Sequence, residues 1–170
     1  EALISDLLMF SRLNRAEASA EVIDVAEKIR RIEGDLREFL DAQNGKIVIE
    51  GALPLIRAER AKIKTIFQNL IINGLKYNRS DTKTVEIGFL SRVDVHGHRL
   101  DNVFYVRDNG IGIEDKNREK IYRIFSRLNR DQDFGRGTGA GLAFVKKIVE
   151  EYGSTISFSS QPGKGTTFYF

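Results

Sequence analysis

Gly135-Arg136-Gly137-Thr138-Gly139-Ala140-Gly141-Leu142 runs directly into a helical pattern, Leu142, Val145, Ile148, Val149 and Tyr152, which Gly153 ends. Alternate glycines ahead of a helix leave backbone N–H groups unobstructed by Cβ atoms. The helix adds its own unpaired amides, so the combination suits an anion. What precedes the glycines bears on the fold. A dinucleotide-binding loop needs a strand there, within a βαβ unit. The residues present are Asn129-Arg130-Asp131-Gln132-Asp133-Phe134, which do not form a strand pattern. The Lys-Ser/Thr ending of a Walker loop is missing as well. Taken singly, the stretch fits either a phosphate site or a flexible loop that caps a helix.

On its C-terminal side, Thr155 to Ser159 and Thr166 to Phe170 read as two closing strands. They flank Gln161-Pro162-Gly163-Lys164-Gly165, a turn that needs no function of its own. Upstream lies a charged, glycine-rich region beginning at Asp108, with a short helix expected near Glu119 to Phe125. Before that, Thr84 to Leu90 and Val103 to Arg107 read as strands, and the polar Asp94-Val95-His96-Gly97-His98-Arg99 between them as a loop. Glu59 to Asn78 is the longest expected helix, with Ile63, Ile66, Phe67, Leu70, Ile71 and Gly74 on one face.

Nearer the start, Lys46 to Glu50 alternates as a strand, and Leu53-Pro54-Leu55-Ile56-Arg57 is an edge strand at best because of its proline. Val25, Ile29, Ile32, Leu36, Phe39 and Leu40 stripe a helix that Gly45 stops. Asp24 and Glu27 are spaced as a capping box at its start. Glu21 to Val25 fits a short strand. Residues 15–20 read as a linker, and Leu3, Ile4, Leu7 and Leu8 mark the end of an amphipathic helix over residues 1–14.

The 170 residues amount to about one ordinary domain plus a short appendage. An apolar fraction of 41% beside 30% charge excludes a disordered polyampholyte. Lys and Arg number 27 against 24 Asp and Glu, and a net charge of +3 with interleaved signs gives no case for nucleic acid. The absence of cysteine excludes disulfide scaffolds, thiolate zinc sites and thiol nucleophiles. No apolar run approaches the ~18 residues of a membrane span. We expect a cytoplasmic fragment of a larger protein, without membrane contact.

Two further stretches carry chemistry. Asn69, Asn73, Lys76 and Tyr77 form a stripe on the long helix, about a quarter-turn from its apolar face at roughly 100° per residue. Amide oxygens coordinate hard cations and lysine meets phosphate, although a solvated helix flank would look the same. Asp108-Asn109-Gly110-Ile111-Gly112-Ile113 follows a strand. Its carboxylate suits an exocyclic amine and its glycines a close ligand, although a plain Asp-Asn-Gly turn also fits.

The order of these features is more specific than any one of them. An Asn-bearing helix, Asp-x-Gly-x-Gly, Gly-x-Gly-x-Gly opening a helix, and Gly-x-Gly-Thr between closing strands together resemble the ATP-binding catalytic domain of sensor histidine kinases. That family shares a superfamily with gyrase-type topoisomerases, heat-shock chaperone ATPases and mismatch-repair ATPases. The resemblance covers Glu21 to Phe170. Ile121 to Leu128 is similar to the family's Phe-containing box, and the stretch from there to Leu142 is most like phytochrome-type and PAS-linked kinases.

The resemblance implies an α+β two-layer sandwich of Bergerat type: a mixed, mostly antiparallel sheet with about three helices on one face. It implies that Asn73 coordinates Mg²⁺ with Asn69 beside it, and that Asn69, Asn73 and Lys76 serve transfer. Lys76 and Tyr77 would line the phosphate and nucleoside side, and Asp108 would accept the adenine amino group. Gly110, Gly112 and Ile113 would border the purine. Phe125 would hinge a lid over Ser126 to Gly137, expected to order on ligand. Arg127 or Arg130 would reach the γ-phosphate, Gly137, Thr138, Gly139, Gly141 and Leu142 would wrap the triphosphate, and Thr166 would support Asp108.

Hydrolytic relatives carry a Glu four residues before the metal Asn; here that residue is Asn69, which is not basic, so transfer is favoured over hydrolysis. The family usually has Ala where this chain has Gly74. His96 and His98 are read as exposed and not as phospho-acceptors. The acceptor His would lie on an upstream helical hairpin whose last turns are residues 1–14. Its implied partners are that hairpin, a response regulator and a second copy in the parent protein. A degenerate nucleotide-binding or interaction module and a hydrolytic ATPase are the alternatives.

Overall fold

The computed structural model describes residues 19–124 and 138–170. A five-stranded sheet is built from β2 (Gly45–Glu50), β4 (Lys83–Val95), β5 (His98–Asp108), β6 (Ser157–Gln161) and β7 (Gly165–Tyr169), in the order β2-β4-β5-β7-β6. Only β2 and β4 run parallel; the other neighbours are antiparallel. The helices are α1 (Val25–Asp35), α2 (Arg37–Ala42), α3 (Arg60–Lys76) and α4 (Gly141–Glu151). This is the mixed sheet with a helix layer that the sequence predicts.

Register explains why one sheet face is covered. Ile49 pairs with Ile87, Ile87 with Val106, Val106 with Phe168, and Phe168 with Phe158, giving one apolar row across all five strands. Because strand side chains alternate in direction, the adjacent row lies on the opposite face; there Glu86 and Arg107 form an ion pair. The apolar row meets the buried stripe of α3, Ile63, Ile66, Phe67, Leu70 and Ile71, and Val145, Ile148 and Val149 of α4. Phe67 sits edge-on to Phe104 with ring centroids 5.7 Å apart.

β1 (Glu21–Asp24) and β3 (Leu55–Ala58) form a separate two-stranded antiparallel sheet. Pro54 stands just ahead of β3, consistent with its confinement to a strand start. Asp24 caps α1 by accepting the Glu27 N–H at 2.9 Å, while the Glu27 carboxylate turns to Arg31, so the capping box is made in one direction only. The single helix expected through Leu40 is interrupted at Leu36 (φ −100°, ψ 9°), whose N–H is shared between the Ile32 and Glu33 carbonyls. α4 ends as expected: Gly153 takes φ 71°, its N–H reaches Glu150 O, and Ser154 N–H reaches Val149 O.

Two expectations need correction. The polar stretch Asp94 to Arg99 is strand apart from a two-residue turn at His96 (φ 53°) and Gly97 (φ 77°). Both turn residues are left-handed, which matches the natural twist of a hairpin. The flanking residues are polar because this end is exposed, with Arg92 paired to Asp101. His96 is exposed, as expected, but its Nε2 lies 3.0 Å from Phe158 O. The short helix expected near Glu119 to Phe125 is instead two 3₁₀ turns, Asp115–Asn117 and Lys120–Tyr122.

In the second turn the Tyr122 ring packs on Phe158, and its hydroxyl is buried with no hydrogen-bond partner among the described residues. Burial pushes this phenol well above its ordinary value. Tyr122→Phe removes an unsatisfied group whose desolvation costs about 1–3 kcal/mol. The variant should melt higher by about 2–4 °C per kcal/mol, read by calorimetry.

Candidate nucleotide site

The C-terminal half of α3 is fastened to the loop after β5. Gly74 packs on that strand: a Cβ there would lie 2.9 Å from Asp108 Cβ and 3.0 Å from Val85 Cγ2. The departure to Gly at this position therefore has a packing reason, since alanine would push α3 off Asp108. Tyr77 closes α3, and its carbonyl accepts the Ile111 N–H at 3.0 Å. Gly110 lies so close to the same carbonyl that a Cβ would overlap it. The Lys76 ammonium lies over the Tyr77 ring, 5.3 Å from its centroid.

Asp108 ends β5. Its Oδ1 accepts the Gly110 N–H at 2.8 Å and the Thr166 N–H at 3.2 Å. Burial raises its carboxyl to about 6 despite these two amides, which pull the other way. Among the described residues no donor meets its second oxygen.

The Gln161 to Gly165 turn, apparently idle in the sequence, clamps the same loop. Gly163 N–H reaches Ile111 O at 2.8 Å, and Gly112 (φ 73°) lies against the Gln161 carbonyl. Ser160 Oγ accepts the Ile113 N–H at 2.8 Å, donates to Gly165 O at 2.9 Å and lies 2.9 Å from Thr166 Oγ1.

Asn69 joins α3 to the glycine-led helix. Its Nδ2 donates to Thr65 O within α3 at 2.8 Å. Its Oδ1 lies directly against Gly141, where any Cβ would collide. Gly139 takes φ 73°, and Ala140 N–H reaches Thr138 Oγ1 at 3.4 Å. Among the described residues no side chain caps α4, and amides at a helix start have the free valence that attracts an oxyanion. Leu142 in that first turn packs on the core. Asn73 is half-buried, and its side-chain amide has no hydrogen-bond partner among the described residues.

α3 and α4 are pinned at their other ends too. Glu59 N–H reaches Tyr152 Oη at 2.9 Å, and Lys62 bridges Glu59 at 2.6 Å and Glu151 at 3.3 Å. α3 thus contacts Asp108 through Gly74 and the start of α4 through Asn69, and Asp108 in turn meets Thr166. Phe125, Arg127, Arg130 and Gly137 lie outside the described residues, as do the lid from Ser126, residues 1–14 and the linker up to residue 18.

Three residues that matter here drew no role from the sequence. Asn78 is buried, donates to Gly74 O at 3.2 Å and Asn109 Oδ1 at 2.7 Å, and accepts Ser80 N–H at 2.9 Å. Asn109 also accepts Thr84 N–H at 2.8 Å and donates to Thr82 O at 3.0 Å. With Ser160 they hold the backbone that presents Asp108. Among the described residues no three His, Cys, Asp or Glu side chains cluster as a metal site, and no helix is long and apolar enough to cross a membrane.

The profile of the family described as Histidine kinase-, DNA gyrase B-, and HSP90-like ATPase matches residues 58–170, from the end of β3 through β7. The chain belongs to this family. Within it, cyanobacterial phytochrome B of Nostoc sp. is 44% identical over 170 residues, which is 100% of this chain and 22% of the phytochrome. The methanogenesis regulatory histidine kinase FilI of Methanothrix harundinacea is 30% identical over 169 residues, 99% of this chain and 18% of FilI. The chain therefore spans about a fifth of these relatives' length. Full-length ShkA, solved in complex with AMPPNP, matches with a TM-score of 0.76 at 24% identity, over 99% of this chain and 34% of that one. The nucleotide-free catalytic domain of histidine kinase ThkA matches at 0.68 and 21%, over 89% of this chain and 93% of that one. Both share the fold of this histidine kinase- and HSP90-like ATPase chain.

Proposed function

We propose that residues 21–170 bind Mg·ATP and serve as the catalytic part of a sensor histidine kinase. Residues 1–14 end the phospho-acceptor hairpin, and 15–20 link the two. In the reaction an imidazole nitrogen of the acceptor His bonds to the γ-phosphorus, the bond to the bridging β,γ-oxygen breaks, ADP leaves and the imidazole loses its proton. Asp108 receives the adenine amino group on its outward oxygen, beside Gly110, Gly112 and Ile113. Asn73 offers an amide oxygen to Mg²⁺, with Asn69 next to it. The triphosphate lies toward Gly139, Gly141 and the start of α4, with Lys76 and Tyr77 on the flank. We place the domain in the cytoplasm, in a homodimeric parent that serves a response regulator.

The observation that carries this reading is the pair of contacts made by one helix. α3 touches Asp108 through Gly74 and the start of α4 through Asn69, which supports placing an amine acceptor, a cation ligand and an anion site side by side. Hydrolysis is disfavoured because Asn69 has no base to offer a water: its nitrogen is spent on Thr65 O and its oxygen faces Gly141. Positioning and electrostatics suffice for transfer to a side chain.

The test combines the chain with a separate acceptor hairpin, Mg·ATP and an acid-lability assay. Acid-labile phosphate should form on the His, and Asn73→Ala should slow its formation by roughly 10²-fold or more, as for the loss of one transition-state charge contact. Rapid phosphate release with no phospho-His would overturn the assignment.

The raised Asp108 carboxyl adds a pH signature. The ionised form is the stronger acceptor of the amine, so ATP affinity should fall below pH 6, by at most about tenfold per pH unit. Calorimetry in buffers of different ionisation enthalpy should show proton release near pH 6. The Asp108→Asn variant, measured in parallel, subtracts the titration of the nucleotide itself.

A further inference from the structure

Val106, Phe168 and Phe158 stand in the apolar row on the covered face of the sheet. Side chains two positions apart on a strand share a face, so the next row on that face is Asp108 on β5, Thr166 on β7 and Ser160 on β6. The structure joins these three polar residues in sequence. Ser160 is paired with Thr166 in the strand register and by a 2.9 Å contact between their hydroxyl oxygens. The Thr166 N–H then reaches Asp108 Oδ1 at 3.2 Å.

The direction of the hydroxyl contact follows from counting hydrogens. A serine hydroxyl has one hydrogen and two lone pairs. Ser160 Oγ lies 2.9 Å from the Gly165 carbonyl oxygen, which can only accept, so the serine hydrogen goes there. One lone pair takes the Ile113 N–H at 2.8 Å. The other lone pair is what remains for Thr166, which makes Thr166 Oγ1 the donor across their contact. Thr166 is buried, and its hydroxyl makes no other hydrogen bond with a described residue. With its hydrogen held by Ser160, Thr166 Oγ1 has lone pairs alone to offer. An ionised Asp108 beside it is an acceptor too.

We propose that Ser160 sets the base specificity of the nucleotide site: by holding the Thr166 hydrogen it makes the Asp108–Thr166 corner an acceptor on both sides, which takes an exocyclic amine and turns away a carbonyl. The inference rests on the reading of Asp108 as the acceptor of the adenine amino group. Ser160 is a positioning residue, since it acts through Thr166. Without it the Thr166 hydroxyl is released to donate, and the guanine carbonyl oxygen, until then set against unpaired acceptors, gains a donor.

The test is calorimetric titration of the chain with Mg·ATP and with Mg·GTP at pH 7.5, read as the ratio of the two dissociation constants. Wild type should prefer ATP, and Ser160→Ala should cut that preference about tenfold. Ser160→Thr keeps a hydroxyl and should restore it. Thr166→Val keeps the N–H to Asp108 but removes the second acceptor, so it should cut the preference in the same direction, and it serves as the measurement if Ser160→Ala fails to fold. In the Thr166→Val background Ser160→Ala should change the ratio no further. A merely structural serine would weaken both nucleotides alike, so an unchanged ratio in the folded variants overturns the proposal, as does a wild type that binds both nucleotides equally. A wild type that binds neither would overturn the reading of Asp108 itself, a result told apart by the missing ATP signal.

Discussion

Asp108→Asn should weaken ATP binding roughly 30- to 150-fold, the loss of about 2–3 kcal/mol from one charge-assisted hydrogen bond, measured by calorimetry at pH 7.5. Loss of fold is not expected. The new amide oxygen can still accept the Gly110 and Thr166 N–H groups that Oδ1 accepts now. What changes is the outward position, where an NH₂ faces the adenine amine donor to donor. Discrimination against GTP should fall in the same experiment, since an amide donor suits a guanine carbonyl.

The ligand-free variant should also be more stable than wild type at neutral pH. The Asp108 carboxyl titrates at about 6 in the fold against an ordinary 3.8. A raised carboxyl favours folding only while protonated. Its contribution is complete below pH 4, drains away between about pH 4 and 6, and leaves wild type short by about 3 kcal/mol above that at about 1.36 kcal/mol per unit. Asn carries no such penalty. Denaturation midpoints of the two proteins should therefore diverge as pH rises through this window. An unchanged ATP affinity in the variant would remove Asp108 from the site.

The second large effect is on stability. Gly165 takes φ 104°, and a Cβ there would overlap the Asp108 carbonyl oxygen. Gly165→Ala should cost about 3–5 kcal/mol, combining a forbidden backbone angle with a backbone collision. That is a large share of the roughly 5–15 kcal/mol available to a domain. Gly163 is the control. It also takes a left-handed φ, 79°, but has nothing within 4 Å of its Cβ position. Gly163→Ala should cost only about 1–2 kcal/mol. Urea midpoints separate the two; equal losses would mean that strain alone, without the Asp108 contact, sets the cost.

The parts of the site that could be read in advance are those whose chemistry is written in local spacing. Asn69 and Asn73 share a helix flank, Asp108 ends a strand, and Gly139 and Gly141 open a helix. The stabilising residues Asn78, Asn109 and Ser160 could not be read this way. Asn109 and Ser160 bond backbone groups far along the chain, as in Ile113 to Ser160, 47 residues apart, and Asn78 meets the Asn109 side chain 31 residues away. Asparagine and serine in turns also have ordinary local uses. The hairpin tip was obscured by exposure: Asp94, His98 and Arg99 face water and give the stretch the composition of a loop although Val95 is buried, and the left-handed pair His96-Gly97 marks the turn. The detachment of β1 and β3 into their own sheet depends on pairing partners, which alternation within a strand does not specify.

The contacts at Asp108 and between α3 and α4 join distant parts of the chain: Asp108 with Thr166 across 58 residues, and Glu59 with Tyr152 across 93. Helix α3 and the β4–β5 hairpin can form from local contacts, but the pocket needs strand β7 and helix α4 to come home first. A site built on these contacts depends on pairing across the whole chain, and release of β7 from β5 would undo the Asp108–Thr166 contact.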